Sequence, residues 1–299
     1  MNNDWSQYVQ TSEELYRSRA LRFHDGNKDL WLNAIGVKNG MSVLEVGCGA
    51  GIFCHRIKTY LPQCQVTGLD FDTGHIEYAK SKNAELGLGC TFVNGDATKL
   101  PFDNATFDLC YSHTVVEHIP TEPFFKEQKR VLKPGGRIVV MSVRTKMGLY
   151  TDEWNAIGGR EQELRDKVWQ IAERNQPRKD IGVYEMWEED YPKVLEQFGF
   201  HDVNVDFITA VSYAPDNATV PETMSIEQIE YQRYSNVNSA EKAILLAPGV
   251  LNDAEKDELF RLTNERFDAR IAAYRRSEKR WDMSVSTVLV ASGRKDDDR

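Results

Sequence analysis

Three glycines at alternate positions stand directly behind the apolar run Ser42–Val46, in the segment Glu45-Val46-Gly47-Cys48-Gly49-Ala50-Gly51. Without a Cβ, the backbone of such a loop can turn sharply and approach a ligand closely. Ile52, Phe53 and Ile57 follow at helical spacing up to Tyr60. The loop therefore opens a helix, whose free N–H groups favour electron-rich ligand groups. A dinucleotide fingerprint needs glycines spaced GxGxxG. Its third position falls here on Ile52, which argues against NAD or FAD.

Two acids follow the loop. Asp70 closes the strand Gln65–Leu69, in the region about 20 residues on where a carboxylate grips ribose hydroxyls. Charge strengthens both hydrogen bonds that a carboxylate accepts from a diol; the plainer role is a helix cap. Asn94-Gly95-Asp96-Ala97 follows the short strand Thr91–Val93. There Asp96 can accept from an adenine amino group and the Ala97 N–H can donate to a ring nitrogen, or Asp96 can serve only the turn.

Proton acceptors come next. His113 ends a strand that begins at Phe107, and ligands of open α/β sheets bind at the carboxyl ends of strands. It is the first candidate for a general base. Glu117 and His118 are the second, with capping of the next helix as their plainer role.

The elements that must hold these residues alternate. Asp72 or Thr73 caps a helix running to about Leu86, Glu122–Leu132 is helical, and Lys133-Pro134-Gly135-Gly136 is a turn. Arg137–Val143 carries no charge after Arg137, as expected of a strand buried on both faces. This order implies a parallel, doubly wound α/β sheet. Residues 1–34 are aromatic and helical in pattern, including Trp5, Tyr8, Leu15, Phe23 and Trp31. After Val143 the chain reads as irregular to about Gly159, then helical to about Arg174. Glu188–Phe198 is a helix closed by Gly199, Val203–Val211 a strand, 225–245 and 252–278 helices, and Val285–Ala291 a last strand. The stretch between the late strands exceeds a hairpin loop and is expected to be a helical insertion, about 214–282.

The chain has 299 residues, 41% hydrophobic and 28% charged, with a formal net charge of −9. These values suit a globular protein. An acidic surface repels phosphate backbones, so no nucleic-acid partner is expected. The five cysteines form no CxxC pair and no ligand cluster. They read as reduced thiols, with no metal, in a cytoplasmic protein. No apolar run approaches the roughly 20 residues of a membrane span, and the polar start Met1-Asn2-Asn3-Asp4 does not read as a secretory signal. The end Lys295–Arg299 is expected to fray.

The glycine loop, Thr67-Gly68-Leu69-Asp70, Asn94-Gly95-Asp96-Ala97, Leu100-Pro101-Phe102, Phe107-Asp108, Val116-Glu117-His118 and Leu132-Lys133-Pro134-Gly135-Gly136 occur in this order. Together they resemble the class I S-adenosylmethionine-dependent methyltransferases, above all the ubiquinone/menaquinone-biosynthesis type and its small-molecule relatives. The likeness covers roughly residues 35–145. It implies a Rossmann-like seven-stranded sheet with the last strand antiparallel, and S-adenosylmethionine as methyl donor. It also implies a division into an N-terminal helical lid (1–34), a cofactor-binding core (35–145) and substrate-side helices that complete the sheet (146–299).

By this resemblance Gly47, Cys48, Gly49 and Gly51 cradle the cofactor, and Glu45 and the Gly47 carbonyl lie near its methionine amino end. Asp70 then holds the ribose, Asp96 and Ala97 the adenine, and Phe71 lines the adenine pocket. His113 would sit near the transferred methyl. Tyr16 is a candidate for the methionine carboxylate, with Arg17, Arg19 or Arg22 supplying charge; packing of the lid is the plainer role of these aromatics. Tyr150, Trp154, Trp187, Tyr213, Tyr231, Tyr234 and Trp281 suit an acceptor pocket or a helical core equally. The expected reaction is methyl transfer to O, N or C of a small molecule, with a homodimer left open. Transfer to protein or RNA, and a non-catalytic cofactor-binding module, are the alternatives.

Overall fold

The computed structural model describes residues 5–151, 157–175 and 182–297. The polar start, Trp154 and the last two residues of the charged end lie outside the described residues, as do the side chains of Tyr8 and Tyr150. By contacts the chain divides into two compact units. The first takes in Met1–Met147, Asp180–Ala210 and Ser286–Arg299; the second takes in Gly148–Lys179 and Val211–Val285.

In chain order the elements are α1 (Trp5–Tyr8), α2 (Ser12–Arg22), α3 (Lys28–Ile35), β1 (Ser42–Val46), α4 (Ile52–Tyr60), β2 (Gln65–Asp70), α5 (Thr73–Glu85), β3 (Thr91–Asn94), β4 (Phe107–His113), α6 (Thr121–Val131) and β5 (Leu132–Thr151). Then come α7 (Gly159–Ala172), α8 (Asp190–Gln197), β6 (Phe200–Tyr213), α9 (Glu222–Leu246), α10 (Asp253–Arg275) and β7 (Met283–Lys295). The sheet has seven strands in the order β3-β2-β1-β4-β5-β7-β6. β1 pairs in parallel with β2 and β4, β2 with β3, and β4 with β5. β7 runs against β5, since Arg137 reaches Ser292 while Lys295 reaches the carbonyl of Leu132. The expected doubly wound sheet with an antiparallel last strand is therefore present.

Alternate strand residues feed opposite layers. Val43, Leu109, Val139 and Met141 pack with Trp31, Phe53 and Ile57 of the helices on one face. Leu44, Cys110, Ile138 and Val140 pack with Phe124, Phe125 and Leu195 on the other. Each fully buried large side chain contributes about 1.5–3 kcal/mol, so the central strands are the most firmly held.

Two expectations are corrected. Lys133–Gly136 does not end a helix before a separate strand; it is a bulge inside β5. Leu132 pairs with Phe107, yet Arg137 already pairs with Leu109, and Gly135 supplies a left-handed turn at φ +68°. The chain after Val143 is not irregular, because β5 continues to Thr151. Polar Arg144 and Thr145 hid that continuation.

In the second unit α7, α9 and α10 pack on one another through Leu164, Val168, Ala240, Ala243 and Leu259. Asn252 and Glu255 form a capping box at the start of α10. Tyr213, expected as a pocket aromatic, is buried here, and its hydroxyl donates to Asp282.

Candidate active site

The loop glycines all take left-handed backbone, with φ +72° at Gly47, +51° at Gly49 and +83° at Gly51. A side chain at Gly47 would put its Cβ 2.4 Å from Val115, so neither the conformation nor the space admits one. The amides of Gly47 and Cys48 both donate to the carbonyl of Leu69, at 2.7 and 2.9 Å. Gly49 N–H donates to Asp70 Oδ2 at 2.7 Å. The end of β2 thus staples the loop between β1 and α4. Cys48 is buried, with its thiol toward the Gly49 carbonyl.

Asp70 receives a second amide, Asp72 N–H, at 2.9 Å. Burial raises its pKa, against the pull of the two amides and His75. Each carboxylate oxygen keeps a further lone pair for a diol. Phe71 is 39% exposed beside it, and Asn94 holds its carbonyl at 2.8 Å. Asp96 accepts from the amide and hydroxyl of Thr98, and Ala97 is buried.

Glu45 lies inside the core. Cys54 Sγ donates to its carboxyl at 3.0 Å, and burial raises the Glu45 pKa to about 8. It is therefore protonated at neutral pH.

The N-terminal helices lie on the core at several points. Ser6 donates its amide and hydroxyl to Asp72, the residue that also caps α5 through His75 N–H. Ser12 bonds the His75 ring at 2.8 Å. Trp5 meets the His118 ring edge-on at 4.8 Å. Leu15 covers Gly49 so closely that an added Cβ there would lie 2.6 Å from it. Tyr16 packs between the rings of His55 and Tyr78, and burial raises its pKa.

His113 is 7% exposed, with its ring against Phe23 and Phe53. Burial, with the charges of Arg19 and Arg22, pushes its pKa well below the usual value. It is neutral, and its Nε2 has no hydrogen-bond partner among the described residues. The next residue, Thr114, sits at φ +57°, a conformation costly for a β-branched side chain. Its amide is held by the Met141 carbonyl at 2.8 Å. His118 Nδ1 accepts from Gly182 N–H at 3.0 Å, so it is committed to that segment.

Glu117 is buried in a polar group that the sequence did not reveal. One oxygen, Oε1, meets the Ser142 hydroxyl and, at 3.5 Å, Arg144 Nη2. Arg144 also donates to Tyr191 OH at 3.1 Å and bridges to Glu188 at 3.4 Å. The only signal was a charge directly after the apolar run of β5. Arg270, buried between Asp216 and Asp282, was equally invisible.

These features suit S-adenosylmethionine. A glycine loop with no room for side chains and an acid stapled to it with lone pairs to spare provide acceptors for a diol, and a neutral buried imidazole stands at the end of β4.

Residues 44–140 match the family model described as a methyltransferase domain. The chain is 36% identical over 123 residues to 24-methylenesterol C-methyltransferase 3 of Arabidopsis thaliana, covering 40% of this chain and 33% of that protein. It is 36% identical over 109 residues to demethylmenaquinone methyltransferase of Staphylococcus aureus, covering 36% of this chain and 45% of that one. These matches span less than half the length of either relative. Among solved structures, phosphoethanolamine N-methyltransferase 2 of Haemonchus contortus in complex with S-adenosyl-L-methionine has the same fold. The TM-score is 0.52 at 17% identity, over 99% of this chain and 60% of that one.

Proposed function

We propose, from the match of residues 44–140 to a methyltransferase domain, that this chain is a class I methyltransferase that transfers a methyl group from S-adenosylmethionine to a small-molecule acceptor. The observation that carries the reading is the bond from Gly49 N–H to Asp70 Oδ2, which joins the two parts of a methyl-donor site. The relatives named above act on sterols and quinones, which supports a small acceptor.

S-adenosylmethionine, when bound, supplies a methyl carbon on a sulfonium that departs as a neutral thioether without an acid. The work left to the protein is positioning, exclusion of water and, where the acceptor is O–H, N–H⁺ or an acidic C–H, removal of a proton. Gly47, Cys48, Gly49 and Gly51 would hold the methionine side, Asp70 the ribose hydroxyls, and Phe71, Asp96 and Ala97 the adenine. Glu45 supports the loop from within the core. Tyr16, Leu15 and α2 act as a lid over the loop. His113, kept neutral by its surroundings, is the first choice to take a proton at Nε2; Glu117 is the second. His118, already accepting from Gly182, has the weakest case for catalysis.

The acidic balance supports an acceptor other than nucleic acid. Among the described residues no helix is long and apolar enough to cross a membrane. All five cysteines are free thiols, which supports a cytoplasmic location. A homodimer is a further proposal, open to test by sedimentation.

Calorimetry with S-adenosylhomocysteine and with NAD tests the donor site, and radiolabelled methyl incorporation from an extract of small molecules tests the reaction. The expected result is binding of the former ligand and label in a small-molecule fraction. NAD binding in preference, or cofactor binding with no label transferred to any fraction, would overturn the proposal.

A further inference from the structure

The polar group around Glu117 is unusual in being closed on one side only. The Glu117 and Arg144 side chains are 9% and 7% exposed. Arg144 cannot shed its charge, and a buried cation must be paired. Its guanidinium meets Glu117 Oε1, the Ser142 hydroxyl, Tyr191 OH, the Met186 carbonyl and Glu188, and it lies over the Tyr191 ring at 5.4 Å. Every one of these contacts to Glu117 falls on Oε1. The second oxygen, Oε2, is buried and has no hydrogen-bond partner among the described residues.

A buried carboxylate oxygen left without a donor is costly, and among the described residues the only donor of this group that is likewise buried without a partner is Arg144 Nε. Glu117 also stands on the turn directly after β4, four residues from His113, at the end of the sheet where ligands bind. The charge balance points the same way: one cation, Arg144, faces two acids, Glu117 and Glu188. An anionic ligand group would add to the excess of negative charge, whereas a hydrogen-bond donor would offset it.

Resting on the methyltransferase reading, we propose that Arg144, Ser142 and Tyr191 are positioning residues that fix Glu117 through Oε1 and so dedicate Oε2 to an N–H or O–H donor on the methyl acceptor. The acceptor class is an amine or a hydroxyl compound, not a carboxylate. Glu117 acts on the acceptor; the other three act through Glu117.

The full chain is tested by ligand-observed NMR with three probes of matched size: n-hexylammonium, 4-propylphenol and hexanoate. Each is titrated with and without saturating S-adenosylhomocysteine. Hexylammonium or propylphenol should bind the unaltered chain at least tenfold more tightly than hexanoate. Glu117→Gln should abolish that preference, Arg144→Met should weaken it about tenfold, and Arg144→Lys should restore most of it. A purely structural role for Arg144 would not yield charge-selective rescue. Should Arg144→Met fail to fold, Tyr191→Phe, which removes one donor-acceptor contact and keeps the ring, should reduce the preference several-fold. Equal or tighter binding of hexanoate, or no binding of either donor probe that depends on Glu117, would overturn the proposal. Failure of S-adenosylhomocysteine to bind would instead remove the methyltransferase reading, because the probe titrations without it stand alone.

Discussion

Asp70 and Gly49 are joined by a 2.7 Å hydrogen bond from the loop amide to the carboxylate. One residue is thereby both ligand candidate and loop anchor. Asp70→Ala should lower affinity for S-adenosylhomocysteine by about 1–2 kcal/mol, the value of lost charge-assisted bonds. Calorimetry checks this, and unchanged affinity would show that Asp70 does not hold the ribose.

Leu15 presses on Gly49. Gly49→Ala forces a methyl to within 2.6 Å of Leu15 Cδ2 at φ +51°, and the side chain most able to yield belongs to α2. We expect weaker cofactor binding and a lower melting temperature, roughly 1–3 kcal/mol in stability. Adding Leu15→Ala should recover part of the loss, so the two changes should be non-additive in a double-mutant cycle. Strict additivity would mean that α2 does not bear on the loop.

Glu45 makes stability fall as pH rises. Its folded pKa is about 8, above the ordinary carboxyl value of about 4.3. Between those values the unfolded chain has released a proton that the folded chain retains, so raising pH favours unfolding. Glu45→Gln keeps an acceptor for Cys54 and removes the titration. The variant should gain in melting temperature relative to the parent as pH goes from 5 to 8, and the gap should close near pH 4. A constant gap across this range would contradict the assignment.

The histidines act in the opposite sense. His55 is held down to about 4 by burial, and His113 is also depressed. Below about 6.5 the unfolded chain takes up protons that these rings refuse, so stability falls with pH, by at most about 1.4 kcal/mol per pH unit for each ring. His55→Asn should flatten the melting curve between pH 6.5 and 4. His113→Ala should lower turnover far more than cofactor affinity; normal turnover at every pH would remove it from catalysis.

In the second unit Arg270, fully buried, is gripped by Asp282 at 2.6 Å and Asp216 at 2.9 Å. Asp282→Ala leaves part of a buried guanidinium unpaired and should cost about 3–5 kcal/mol by denaturant titration. A loss below about 1 kcal/mol would mean that water replaces the carboxylate.

The sequence disclosed what is local. The glycine loop, the Asp72 cap and the apolar runs of β1, β4 and β5 each depend on residues within one or two turns, and periodicity and spacing report these directly. It did not disclose pairings across distance. Glu117 and Arg144 stand 27 positions apart, on elements brought together only by the sheet, and neither bears a mark of its partner. Leu15 looked like any helix-packing residue until the fold set it on Gly49. Thr114 gave no warning of its left-handed backbone, because β-branched residues ordinarily avoid it.

The bulge at Lys133–Gly136 sets a parity. Strand side chains alternate between faces, so a slip of one residue exchanges the two sets. The bulge is tightly closed, with a Cβ at Gly136 only 2.8 Å from the Lys133 carbonyl, and it has little slack to absorb a change in length. A slip of β5 by one residue would turn Ser142 and Arg144 away from Glu117 and bring Met141 and Val143 in their place. This short segment thus bears on which side chains the far end of the strand presents.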